Sequence, residues 1–150
     1  MRIFNYIVAT GLGSGYSPVA PGTAGSILAA LLIYRLSPLP FLWLLGSLFF
    51  LFLLGMYSAH QVEKELGKDP SKVVVDEMVG MGVSLLGVPQ NGYLFLAAFV
   101  LFRFFDISKP PPIRATEKLG GGAGIMLDDL VAGVYALIGV HFIRWLFFPG

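Results

Sequence analysis

MVGMGVSLLGVPQNGYLFLAAFVLF, residues 78–102, carries no charged side chain, yet Gly87-Val88-Pro89-Gln90-Asn91-Gly92 interrupts it near the middle. Proline lacks an amide donor, and glycine and asparagine favour turns, so the stretch reads as one broken span or as two half-length helices. Halves of about eleven residues reach ~16 Å at 1.5 Å per residue, roughly half of a ~30 Å hydrocarbon layer, so a re-entrant hairpin turning at Pro89 is physically reasonable. The flanks favour the hairpin. Polar segments at residues 61–71 and 103–118 bracket the stretch, and carboxylates lie beside it in three clusters: Asp76-Glu77, Asp106 and Asp128-Asp129. If these acids serve one site, both polar segments lie on the same face of a membrane, and residues 78–102 must enter and return.

Composition agrees that the surroundings are lipid. With 56% hydrophobic, 14% aromatic and 13% charged residues, the chain lies far outside the balance of a water-soluble domain. Its 150 residues make one integral-membrane unit, residues 1–150, with room for about four to six spanning or half-spanning helices. The expected fold class is all-α: a polytopic membrane helical bundle with a re-entrant or broken helical hairpin and polar active-site loops. A formal charge of +1 excludes a polybasic nucleic-acid surface. Absence of cysteine excludes thiolate metal sites and cysteine nucleophiles. No feature calls for an obligate protein partner, and the N-terminal residues lack a convincing cleavage site and read as mature protein.

Residues 27–34 and 41–59 are apolar runs separated by Arg35-Leu36-Ser37-Pro38-Leu39-Pro40 and read as a helical hairpin. Residues 130–148 form a last helix interrupted by Arg144, preceded by a flexible joint at Gly120-Gly121-Gly122 and Gly124. Lys64, Lys68 and Lys72 lie in one loop, and Arg103, Lys109, Arg114 and Lys118 in the next. Because cations are spread almost evenly along the chain, the positive-inside rule does not orient the spans.

An ionised carboxylate beside lipid is costly unless it is paired, metal-bound or facing a polar cavity, so the acids are the first functional candidates. Small residues Gly80, Ser84 and Gly87 follow Glu77 on one helical face, and Asp129, Gly133, Ala136 and Val140 share another. Such seams let helices approach closely, which directs the acids into the bundle. The plainer explanation is that acidic residues favour helix starts. Arg103 and Asp106, three apart, suit an intrahelical ion pair. Lys109-Pro110-Pro111-Pro112-Ile113-Arg114 is a stiff basic loop, suited either to phosphate or to anionic lipid headgroups. Carboxylates facing such a loop are what a metal-assisted phosphoryl site needs: the acids hold Mg²⁺ while Lys or Arg neutralises the remaining phosphate charge. Residues 11–26, rich in Gly and Pro, are expected to be an irregular loop lining a polar site, with Thr23 capping the helix that follows. They lack the Gly-Lys-Ser/Thr of a nucleotide loop. His60, near the water boundary, is a better functional candidate than His141.

Taken together, Gly13-Ser14-Gly15-Tyr16-Ser17-Pro18, Pro21-Gly22-Thr23-Ala24-Gly25-Ser26, Asp76-Glu77-Met78-Val79-Gly80-Met81, Phe102-Arg103-Phe104-Phe105-Asp106 with Ile107-Ser108-Lys109-Pro110-Pro111-Pro112-Ile113-Arg114, and Gly121-Gly122-Ala123-Gly124-Ile125-Met126-Leu127-Asp128-Asp129 resemble the bacterial phosphatidylglycerophosphatase A family. The resemblance covers nearly the whole chain in order. It implies Mg²⁺-dependent hydrolysis of phosphatidylglycerophosphate to phosphatidylglycerol in the bacterial inner membrane, with a cytoplasmic site. The expected metal set is Asp76, Glu77, Asp106, Asp128 and Asp129, with Asp106, Asp129 and Glu77 closest to the chemistry. The attacking group is expected to be a metal-activated water, and an Asp106 or Asp129 nucleophile is the runner-up. Lys109, Arg114, Arg103, Thr23, Ser26 and His60 are the expected substrate-binding residues, and membrane lipid is the expected surrounding partner. A different class, a carboxylate-based ion-coupled transporter, would also use membrane acids beside broken helices. Acids at helix ends beside polar loops favour the lipid phosphatase.

Overall fold

The computed structural model describes residues 1–36, 39–68 and 70–148, with the side chain of Glu117 outside the described set. Ser37 and Pro38 of the expected inter-helix turn, and Asp69 of the first polar segment, therefore lie outside the description. Among the described residues seven α-helices follow in order: α1 (Arg2–Ala9), α2 (Pro21–Leu36), α3 (Phe41–Leu66), α4 (Val75–Ser84), α5 (Gly92–Ser108), α6 (Ile113–Thr116) and α7 (Gly121–Phe147). Short 3₁₀ turns occupy Ser14–Tyr16 and Glu117–Leu119, and there is no strand among the described residues. The architecture is an all-α bundle. Helices α3 and α7, with 26 and 27 residues, are long and apolar enough to cross a membrane. Each extends about 40 Å at 1.5 Å per residue, beyond a ~30 Å hydrocarbon layer. Phe49, Phe50, Trp43 and Phe142 on their outer faces are exposed, as lipid-facing side chains are.

Helix α4 is the centre of the bundle, with nine of its ten residues buried. It packs on α7 along the small-residue seam: a Cβ on Gly133 would strike the backbone of Gly80, and one on Gly80 would strike the Asp129 carbonyl and the Phe102 ring. Ala132, Ala136 and Val140 continue that contact, each fully buried. Close backbone approach yields dispersion contact that lipid-exposed leucines cannot supply, so glycine at these positions holds the bundle together.

Residues 78–102 fold back on themselves within the bundle. Helices α4 and α5 run antiparallel, so that Glu77 at one helix start and Arg103 near the other helix end both abut Gly22. Helix α4, with ten residues, has about the expected half length, and the turn reaches the C-terminal end of α2. Gln90 donates to the Tyr34 carbonyl at 2.8 Å, at the C-terminal end of α2, and α5 alone has 17 residues. The depth is reached because the turn's polar backbone is satisfied there: Arg144 donates to the Gly87 carbonyl at 3.1 Å, and His141 Nε2 pairs with the Leu86 carbonyl at 2.9 Å. The Asn91 side chain accepts from the amides of Tyr93 and Leu94, capping α5. Both polar segments consequently lie at one end of the bundle.

Three further expectations are corrected. Helices α2 and α3 do not form a packed hairpin: α2 lies on α4 and α5, whereas α3 lies on α1, α4 and α7, because each buries its apolar face on the central helix. Residues 11–26 are not wholly irregular, since α2 already begins at Pro21, where the missing amide costs nothing. Thr23 thus sits inside the first turn and does not cap it. The glycines at 121, 122 and 124 are not a joint but the first turns of α7, with Gly122 pressed against the Met56 carbonyl of α3.

Candidate active site

Three helices bring the acids together at one end of the bundle. The first turn of α4 supplies Asp76 and Glu77. The early start of α7 places Asp128 and Asp129 about two turns into that helix, ~12 Å from its first residue. The last turns of α5 supply Arg103 and Asp106, and Lys109 follows in a left-handed conformation, φ 44° and ψ 58°, that turns the chain back across the site. Lys109 Nζ reaches Asp128 Oδ2 at 2.8 Å, and the Tyr135 hydroxyl of α7 ties down the proline loop through the Pro111 carbonyl at 2.9 Å.

Oxygen atoms of Asp76, Glu77 and Asp129 lie within 4.8 Å of one another. All three side chains are largely withdrawn from solvent, Asp129 to 3% exposure. Asp76 Oδ1 and Glu77 Oε2 are buried without any hydrogen-bond partner among the described residues. Asp128 Oδ1 accepts from the Asp129 amide at 3.0 Å, and Arg103 Nη1 lies 2.7 Å from Asp106 Oδ2, giving the expected intrahelical ion pair. A cavity of about 340 Å³ opens among them, lined by all five acids and Lys109 together with Glu63, Lys68, Gly120 and Gly121. Arg103 and Lys109 are engaged with Asp106 and Asp128, and Lys68 stands at the cavity wall. Carboxylate oxygens at close range that lack a hydrogen-bond partner among the described residues are the signature of a hard divalent cation site: oxygen-only ligands of this kind suit Mg²⁺. The donor set therefore fits the metal.

Not every expected substrate-binding residue joins this cavity. Ser26 is fully buried, and its hydroxyl donates to the Gly22 carbonyl at 2.8 Å within α2. Arg114 is exposed on α6 and does not line the cavity. His60 stands at the rim, 3.8 Å from Glu63 and beside Gly121. Of the glycines in residues 11–26, Gly22 meets the site: a Cβ there would collide with Glu77 Oε1 and come to 3.4 Å from Arg103 Nη1. Glu63, Lys68 and Gly22 are the site residues that sequence reasoning missed. Only the His60–Glu63 spacing carried a signal, since it puts both on one face of α3.

Fold and site together define an integral-membrane helical protein with a polyacidic, cation-adapted cavity at one end of its bundle, the equipment of a hydrolase acting at the lipid headgroup level. Residues 7–144 match the phosphatidylglycerophosphatase A family. The chain belongs to that family, and the protein is a phosphatase. It is 42% identical over 143 residues to phosphatidylglycerophosphatase A of Escherichia coli, covering 92% of this chain and 82% of the relative. It is 43% identical over 149 residues to the phosphatidylglycerophosphatase A of Haemophilus influenzae, covering 93% and 88%. A protein of Bacteroides thetaiotaomicron provisionally named phosphatidylinositol-3-phosphatase is 47% identical over 148 residues, covering 93% of both chains. No solved structure matches.

Proposed function

We propose that this protein removes the terminal phosphate of phosphatidylglycerophosphate, releasing phosphatidylglycerol and inorganic phosphate. The observation that carries this reading is the buried carboxylate cluster with unpartnered oxygens, set at the end of the bundle where a headgroup lies. Asp76, Glu77 and Asp129 would hold Mg²⁺, with Asp106 and Asp128 beside them. When bound, the ion supplies positive charge and Lewis acidity that lower the barrier to attack at phosphorus. The chain's own residues do the rest. Lys109, held by the proline loop, places its ammonium at the cavity wall, where it can exchange part of its contact with Asp128 for a phosphate oxygen. Arg103 fixes the Asp106 carboxylate, whose other oxygen would accept a proton from the attacking water. The water oxygen bonds to phosphorus, the bond from phosphorus to the glycerol oxygen breaks, and the glycerol oxygen takes up a proton. Asp106 or Asp129 as a direct nucleophile is the competing route, and a trapped phospho-enzyme would favour it.

The bundle also supports an orientation that the linear sequence did not. Of ten Lys and Arg residues, only Arg35 and Arg144 stand at the end away from the acids, and the other eight flank the cavity end. By the positive-inside rule the cavity faces the cytoplasm, consistent with residence in a bacterial inner membrane. The transporter reading finds no support: the acids gather at one end, and the middle of the bundle is closed by the packed glycine seam.

Phosphate release from phosphatidylglycerophosphate in mixed micelles, with Mg²⁺ and with chelator, tests the proposal. Phosphatidylinositol 3-phosphate should be assayed beside it, because the relative from Bacteroides carries that substrate in its name. Faster release from the inositol lipid would reassign the substrate but leave the chemistry standing. No release from either lipid by folded protein with any divalent metal would overturn it.

A further inference from the structure

We infer that Lys68 forms a second anion subsite, which holds the phosphodiester of the lipid substrate while the phosphomonoester sits among the acids. The inference rests on the phosphatidylglycerophosphatase reading, because that substrate carries two phosphates joined by a glycerol bridge. Lys68 follows the C-terminus of α3, which ends at Gly67 with φ 96°, and this turn directs residue 68 toward the acids without continuing the helix. It lines the same cavity as Asp76, Glu77, Asp106 and Asp129. The other cations near the acids are engaged: Lys109 with Asp128 at 2.8 Å and Arg103 with Asp106 at 2.7 Å. Lys68 has no ion pair or hydrogen bond among the described residues and is exposed at the cavity mouth. Arg114, the alternative cation in the sequence, lies outside the cavity.

Charge balance explains why a free cation there serves binding. The acids and their metal suit the doubly charged monoester, but they repel a second phosphate held a short distance away. An uncommitted ammonium at the mouth offsets that repulsion without entering the reaction, and a lysine presents its charge on a long stem that tolerates lipid motion. The subsite would favour lipids bearing both a monoester and a diester phosphate over simple phosphomonoesters.

Kinetics of wild type, Lys68→Ala and Lys68→Arg on phosphatidylglycerophosphate, with inorganic phosphate as a competitive inhibitor, test the assignment. Inorganic phosphate is the reaction product, so its competition with substrate reports on the monoester position. Lys68→Ala should raise KM about tenfold, the effect of one charge-assisted contact. It should leave the inhibition constant of phosphate within about twofold of wild type, and Lys68→Arg should recover most of the loss. An unchanged KM overturns the subsite. So does a parallel rise of KM and the phosphate inhibition constant, which would place Lys68 on the reacting phosphate, or a fall confined to kcat. Failure of the underlying reading is distinguishable, because wild type itself would then release no phosphate from this lipid.

Discussion

Replacing Gly22 by alanine should damage the site far more than the fold. The added Cβ would meet Glu77 Oε1, would lie 2.9 Å from Glu77 Cδ and would lie 3.4 Å from Arg103 Nη1, with no backbone atom among these neighbours. A carboxylate at the end of a flexible side chain moves before a packed helix does. The fold should therefore lose only about 1 kcal/mol, the low end of overpacking costs. Glu77, however, must swing away from Asp76 and Asp129, with which it now shares a cluster within 4.8 Å. Displacing a ligand's support typically costs 10–100-fold in metal affinity, or about 1.4–2.7 kcal/mol. Purified Gly22→Ala should unfold in chelator within a few degrees of wild type, while the Mg²⁺ concentration for half-maximal phosphate release, and for thermal stabilisation, rises by about one to two orders of magnitude. Gly139→Ala is the control, since its Cβ would press 2.9 Å from Leu101 Cδ1, at a position ten residues beyond Asp129 on α7. It should lose stability with no change in Mg²⁺ midpoint. An unaltered midpoint in Gly22→Ala would refute the argument that this glycine sets the Glu77 position.

Gly133→Ala should be among the most destabilising single changes, on the order of 3 kcal/mol, because the new methyl would meet the Gly80 backbone and neither helix can yield; detergent thermal melts measure it. Arg144→Ala leaves the Gly87 carbonyl without its donor, and a stability loss of about 1 kcal/mol with full phosphatase activity is expected. Lys109→Met removes the 2.8 Å partner of a buried Asp128 and should lower kcat at saturating Mg²⁺ by at least about tenfold. In membrane vesicles, Lys68→Cys and Arg114→Cys should react with an impermeant thiol reagent from one side and Gln90→Cys from the other; labelling of residues 68 and 114 from opposite sides would contradict the returning hairpin.

Much of the fold was legible because lipid imposes simple demands. The uncharged run at 78–102 had to be helical, its Gly-Pro-Asn break had to turn, and the small residues after Glu77 and Asp129 had to face other helices; the Gly80–Gly133 contact bears this out. What the sequence concealed was depth and partnership. The turn reaches the end of α2 because Arg144 and Gln90 satisfy backbone groups across more than fifty positions, and such long-range pairs leave no local periodicity. The start of α7 was missed for a related reason: a glycine run looks flexible until a facing helix fills the space that side chains would take.

By itself the sequence determined that the chain is a membrane helical bundle with acids at helix ends and a basic proline-braced loop. These conclusions follow from composition, helix-length apolar runs and the cost of burying charge, and they need no coordinates. Only the tertiary structure decided which acids share a cavity, that Arg114, Thr23 and Ser26 lie outside it while Lys68 and Glu63 line it, and that eight of the ten cations gather at its end. A site is assembled from residues dozens of positions apart, and the distance between their side chains is fixed by how closely α4, α5 and α7 can pack.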